Sequence, residues 1–153
     1  KELVVGAIYE PNQDEMFCAW KNGGAYLNET RISVSTTEKI SDALLATGFP
    51  YYDYKRLDGY MNILKWLMHN SRGVRRIGSA AIDLAYVACG RFDAFYEYSL
   101  NPWDVAAGAI IVNEAGGSVK DFHGGKNYLF NKEIVASNLH IESELLNIIK
   151  SSF

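Results

Sequence analysis

Two carboxylates, Glu97 and Asp104, stand seven residues apart among apolar runs, and they are the side chains here best placed to do chemistry. Asp104 falls at the mouth of a segment, 101–117, built mainly from Ala, Gly, Val and Ile. Read from the residues alone it is an N-cap, accepting the free N–H groups of a first helical turn and contributing about 0.5–2 kcal/mol. Glu97 closes a strand-like run, where a lone Glu is ordinarily solvated, and from there it can share a rim with Asp104. Gly78 and Ser79 read as the cap of a helix that begins at Ala80. Arg75 and Arg76 are adjacent on a short strand, so they face opposite sides and at most one points into a site. Asp83 lies in the first turns of the helix after Ser79, where the helix dipole or a structural hydrogen bond accounts for it. His69, His123 and His140 have no metal or triad spacing and read as surface or loop residues. Trp103 reads as a packing anchor for the Asp104 turn.

The elements that must hold these side chains follow from pattern. Residues 3–9 and 15–20 are short β-favouring runs around Pro11-Asn12-Gln13-Asp14, a hairpin turn. Asn22-Gly23-Gly24 makes the next turn, and 25–27 with 31–34 continue the meander. From residue 43 the pattern changes. Strands are expected at 43–49, 74–77, 92–96, 118–122 and 133–136. Between them 56–69 carries Leu57, Tyr60, Met61, Leu64, Leu67 and Met68 at helical spacing, 80–89 is apolar nearly all round, and 104–115 ends at Gly116-Gly117. A last amphipathic helix covers 141–149. The alternation predicts an α/β layered fold, divided near 36–42 into an all-β part, 1–41, and an α/β domain, 42–153.

With 153 residues, 48% apolar and 22% charged, the chain is long enough for a real core and shows no sign of disorder. A net charge of −3 disfavours a nucleic-acid partner, which wants a basic stripe. No window approaches the roughly 18 apolar residues of a membrane span. Cys18 and Cys89 lack a partner spacing and read as buried, reduced thiols, which suits a cytoplasmic protein. The strand pattern begins almost at Lys1, so the chain is expected to start mid-sheet, as a fragment does.

The segment Trp103-Asp104-Val105-Ala106-Ala107-Gly108, followed by an apolar run and Glu114-Ala115-Gly116-Gly117, resembles the second signature of the inositol monophosphatase family. Arg75-Arg76-Ile77-Gly78-Ser79-Ala80, Gly90-Arg91-Phe92-Asp93-Ala94-Phe95-Tyr96-Glu97 and Asn22-Gly23-Gly24-Ala25-Tyr26-Leu27 are similar to further stretches of that family, so the likeness runs from about residue 4 to 137. The resemblance implies the C-terminal half of a layered α-β-α-β-α sandwich, with 1–41 a remnant of its N-terminal antiparallel sheet. It implies Mg²⁺-dependent hydrolysis of inositol or sugar monophosphates, commonly by a homodimer. Asp104 would be a metal ligand, a hard oxygen of the kind Mg²⁺ prefers. Glu97 would accept hydrogen bonds from sugar hydroxyls, and the backbone of Gly78, Ser79 and Ala80 would line the sugar. The family's Asp-Pro-x-Asp-Gly-Thr loop has no counterpart here, since the sole Asp-Gly is Asp58-Gly59. The remaining Mg²⁺ ligands are therefore expected upstream of Lys1, and 1–153 by itself is expected to be inactive. A fructose bisphosphatase or bisphosphate nucleotidase of the same superfamily is the alternative activity. A non-catalytic interaction protein that kept the fold is the alternative class.

Overall fold

In the first layer, side chains alternate across a sheet with one buried face. The structure, a computed structural model describing residues 2–153, pairs β1 (Val5–Glu10) with β2 (Glu15–Trp20) in register from Val5↔Trp20 to Glu10↔Glu15. Gly6, Ile8 and Glu10 point inward, while Val5, Ala7 and Tyr9 are exposed, the period of two that a half-buried strand requires. β3 (Gly24–Leu27) and β4 (Thr30–Ile32) complete an antiparallel sheet of order β1-β2-β3-β4. The fourth strand is shorter than the expected 31–34, because Val34 leaves the sheet and donates its N–H to the Ala115 carbonyl at 3.1 Å.

The second sheet holds β5 (Leu44–Thr47), β6 (Gly73–Arg75), β7 (Ala94–Tyr98), β8 (Ser118–Lys120) and β9 (Glu133–Ser137), in the order β6-β5-β7-β9-β8. β5 runs parallel to β6 and β7, whereas β9 runs antiparallel to β7 and β8. Helices α1 (Leu57–Asn70), α2 (Ala80–Ala88) and α3 (Pro102–Glu114) join the strands, and α4 (Glu142–Lys150) follows β9. The α/β expectation is met, with element ends moved by at most two residues.

Two apolar clusters cover the two faces of this second sheet. Phe95, Ala46, Ile134 and Ala136 pack with α2, α3 and the buried face of the first sheet. Ala94, Tyr96 and Tyr98 pack with α1 and α4 on the other side. Period-two alternation along β7 therefore carries Glu97 to the side of Phe95, toward α2 and α3. On α1 the buried stripe is Tyr60, Ile63 and Leu67, while Met61 and Met68, expected to be buried, are exposed. Tyr60 sets that rotation by donating its hydroxyl to the Gly48 carbonyl at 2.8 Å. Cys18 and Cys89 are free and half-buried rather than fully buried, Cys18 lying on the outer side of β2. The three histidines are exposed, as expected.

α3 lies very close to its neighbours. A Cβ on Gly6 would sit 2.8 Å from the Ala107 carbonyl oxygen, and one on Gly108 would sit 2.5 Å from the Leu84 Cβ. Its C-terminal Glu114 accepts the N–H of Asn22 at 2.9 Å and of Gly24 at 3.0 Å, fastening the β2–β3 turn to the helix. No helix among the described residues is long and apolar enough to cross a membrane.

β1 is an edge, with Val5 and Tyr9 exposed on its outer face. Unpaired edges seek other chains. Residues 1–153 produced alone should self-associate at micromolar concentration in sedimentation, and Val5→Lys should reduce that association. A clean monomer before substitution would mean that the edge is protected in another way.

Candidate active site

The C-terminal end of β7, the start of α3 and the start of α2 converge on one cleft of about 410 Å³. Its lining includes all five residues singled out from the sequence: Gly78, Ser79, Ala80, Glu97 and Asp104. Arg76, Gly48, Tyr51, Tyr52 and Trp103 join them.

Asp104 is not the N-cap. The helix begins two residues earlier, with Asn101 as cap and Pro102 in the first position, where a missing N–H is harmless. Asp104 occupies the third helical position and reaches back, its Oδ2 accepting the Asn101 N–H at 2.9 Å. That bond holds one carboxylate oxygen in place, while the side chain still lines the cleft. Just upstream Ser99 has φ +70, a strained conformation for a residue with a Cβ, and its N–H is held by the Lys132 carbonyl at 2.7 Å. This bend turns the chain from β7 into α3 within the few residues that separate Glu97 from Asp104.

Glu97 is buried, only 6% exposed, rather than solvated at a strand end. Burial pushes its carboxyl up to about 8, the Asp83 and Asp104 charges push the same way, and Arg76 opposes them. Gly48 makes the room: a Cβ there would lie 2.2 Å from the Glu97 carboxyl. The raised carboxyl keeps a protonated share near neutral pH, and in that form it both donates and accepts.

Ser79 caps α2, its hydroxyl accepting the Ile82 N–H at 3.5 Å. Gly78 sits at φ +100, in the left-handed region, and a Cβ on it would press on Arg76 Nη1 at 2.6 Å. Of the two arginines, Arg76 lines the cleft and donates to the Tyr51 hydroxyl at 2.6 Å, while Arg75 does not line it. Trp103, expected as a packing anchor, is 78% exposed and forms part of the rim. Asp83 is fully buried, neither carboxylate oxygen has a hydrogen-bond partner among the described residues, and burial pushes it up to about 7. Gly48 fell inside the strand expected at 43–49, which ends at Thr47, and no periodicity marks the loop that carries Tyr51 and Tyr52; the run Tyr51-Tyr52-Asp53-Tyr54 was the one available signal.

For a divalent cation the cleft supplies one hard carboxylate. Among the described residues no group of three or more His, Cys, Asp or Glu side chains is arranged to hold a metal ion. Asp104 fits Mg²⁺ as a single ligand, since that ion keeps several waters and takes one or two protein carboxylates. It does not make a complete site.

Residues 1–152 match the inositol monophosphatase family. The chain belongs to that family. It is 45% identical over 142 residues to the Nus factor SuhB of Escherichia coli K12, covering 93% of this chain and 53% of that protein. It is 41% identical over 149 residues to an inositol-1-monophosphatase of Mesorhizobium japonicum, covering 97% and 56%. The crystal structure of the extragenic suppressor protein suhB from Bartonella henselae superposes with a TM-score of 0.93 at 42% identity, over 98% of this chain and 57% of that one. The chain thus spans a little over half the length of these relatives.

The raised carboxyls have a measurable signature. Glu97 and Asp83 hold protons more tightly folded than unfolded, where carboxyls titrate near about 4. Stability should therefore fall as pH rises from about 5 to 8, the native state being the one that binds more protons across that window. The drop in Tm between these pH values should be smaller in Glu97→Gln. An equal drop would place Glu97 in water.

Proposed function

We propose that the whole protein is a Mg²⁺-dependent phosphatase of inositol or sugar monophosphates, and that these residues supply its polyol-binding wall and one metal carboxylate. In this reading 1–41 is the tail of an N-terminal antiparallel sheet and 42–153 the C-terminal α/β domain. The observation that carries the proposal is the meeting of Asp104 with Glu97 across one cleft, beneath the backbone of Gly78, Ser79 and Ala80.

Each residue then has a stated task. Bound Mg²⁺ would supply charge neutralisation of the phosphate and a more acidic water. Asp104 would hold that ion with one oxygen while the Asn101 N–H keeps the side chain in its rotamer. Glu97 would meet vicinal hydroxyls on the polyol, and Gly78, with no Cβ, leaves room for the Arg76 guanidinium beside the pocket. Tyr51, Tyr52 and Trp103 line the cleft with exposed aromatic faces against which a bound ring would lie. A bisphosphate of a sugar or nucleotide is the alternative substrate class. Members named inositol-1-monophosphatase and members named Nus factor stand at similar identity to this chain, so a binding role in a transcription complex is the second reading.

Asp104→Asn decides between a metal ligand and a side chain that only holds the Asn101 N–H. Asn keeps an oxygen for the Asn101 N–H and loses the charge, so in the whole protein at saturating Mg²⁺ kcat should drop by about two orders of magnitude or more. Near-wild-type kcat would rule out the metal role. No turnover by the wild type on inositol, sugar or aryl phosphates would favour the binding reading.

Glu97→Gln should act on substrate choice. KM for inositol monophosphate should rise while hydrolysis of a plain aryl phosphate, which offers no hydroxyls, stays close to that of the wild type. Equal losses on both substrates would assign Glu97 to metal binding or to the fold.

A further inference from the structure

β5 and β7 run in parallel with Thr47 opposite Tyr96, so the next residues along, Gly48 and Glu97, are neighbours across the two strand ends. A Cβ on Gly48 would lie 2.2 Å from Glu97 Cδ and Oε2 and 2.3 Å from Oε1, far inside van der Waals contact. These near-equal distances put the glycine over the flat face of the carboxyl rather than at its edge. The acceptor directions of a carboxyl lie in its plane. Gly48 therefore closes one face of Glu97 and leaves those directions free, in a cleft that both residues line.

Gly48 is itself held from behind. Tyr60 of α1, fully buried, donates its hydroxyl to the Gly48 carbonyl at 2.8 Å, and the Thr47 hydroxyl donates to that of Tyr60 at 2.5 Å. The Tyr60 ring packs on Tyr96 and Tyr98, with centroids 5.1 and 5.0 Å apart, and these two residues flank Glu97 in β7. One buried tyrosine thus holds both the strand that carries Glu97 and the backbone that covers it.

We infer that Gly48 is a specificity-determining residue: by having no Cβ it seats the Glu97 carboxyl in the orientation that meets substrate hydroxyls, with Tyr60 as the positioning residue behind it. The inference rests on the reading of Glu97 as the polyol-binding side chain. Glu has three rotatable side-chain bonds, and a side chain that is immobilised only on binding weakens the complex by the freedom it loses. Glu97 is packed in place before the ligand arrives. An Ala at position 48 would drive the carboxyl off its seat, while Asp104 would keep its bond to the Asn101 N–H. A polyol phosphate would then lose its hydroxyl contacts, and an ester without hydroxyls would have none to lose.

The test is a double-mutant cycle in the whole protein with Gly48→Ala and Glu97→Asp, the second shortening the side chain by one methylene. The quantity read is kcat/KM for inositol monophosphate divided by kcat/KM for a plain aryl phosphate, at saturating Mg²⁺. Gly48→Ala should lower this ratio about tenfold, chiefly through KM for inositol monophosphate. Glu97→Asp should cost the Gly48→Ala protein much less than it costs the wild type, because the shorter side chain makes room for the new methyl. Tyr60→Phe, outside the cleft, should lower the ratio by a smaller factor. A second readout needs neither metal nor turnover: Gly48→Ala should lower Tm clearly in the wild type and far less in Glu97→Ala. An unchanged ratio in Gly48→Ala, as a merely structural loss on both substrates would give, overturns the inference, and so do additive effects in the cycle. Where Gly48→Ala does not fold, the ratio in Tyr60→Phe decides. Hydrolysis of both substrates with an unchanged ratio sinks the inference and leaves the phosphatase reading standing. No hydrolysis of either by the wild type sinks the phosphatase reading, and the Tm comparison alone then upholds or overturns the seating of Glu97.

Discussion

The closeness of α3 to its neighbours is the constraint on which the rest of the molecule depends. The helix lies between the first sheet and α2, and it fits because Gly6 and Gly108 offer no Cβ at the points of contact. Any larger side chain there would move a backbone carbonyl or the Leu84 side chain, which interiors packed at crystal density do not absorb. Both ends of the helix are then fixed by carboxylates, Asp104 at the start and Glu114 at the finish. The cleft is a consequence. Since α3 cannot slide, the distance between the end of β7 and the start of α3 is set by the Ser99 bend, and Glu97 and Asp104 are presented side by side.

The same packing explains why the cleft is electrically unusual. Glu97 and Asp83 lie where apolar strands and helices meet, so desolvation dominates their titration. Arg76 is the compensating cation, and it reaches the cleft only because Gly78 adopts a conformation that leaves it space. An acidic cleft with one cation at its edge suits a ligand that carries hydroxyls on one side and recruits metal on the other.

The sequence announced much of the fold because its signals were local. Alternation in 3–9 and 15–20, the Asn22-Gly23-Gly24 turn and the small-residue run after Asp104 each name their element without help from distant contacts. Element ends were less legible, since they depend on tertiary bonds such as Val34 to Ala115. Tyr60 and Leu67 face inward on α1 as their spacing suggested, but Ile63 joins them in place of Met61 and Met68, a rotation set by the Gly48 carbonyl, which no helical pattern reveals. In the cleft, the family likeness brought Glu97, Asp104 and the Gly78 turn into view. The burial of Glu97 and Asp83 was hidden, because it is created by α2, β7 and Gly48 meeting in space. Trp103 misled for the opposite reason: a large apolar residue beside a capped turn suggests packing, and here it faces solvent.

Under the proposed metal role, the bond from the Asn101 N–H to Asp104 would bear on how quickly a cation is taken up. A carboxylate on a free side chain surrenders rotamer freedom when an ion arrives, a loss of about 0.5–1.5 kcal/mol for a side chain immobilised on binding. Asp104 has surrendered that freedom during folding. Its contribution to capture would thereby be preorganised, and the barrier to uptake would shift from the protein to the ion's own hydration shell. Ions that shed water slowly would then arrive slowly whatever the state of the protein, so the rhythm of loading would follow the chemistry of the aquo ion rather than the motion of the chain.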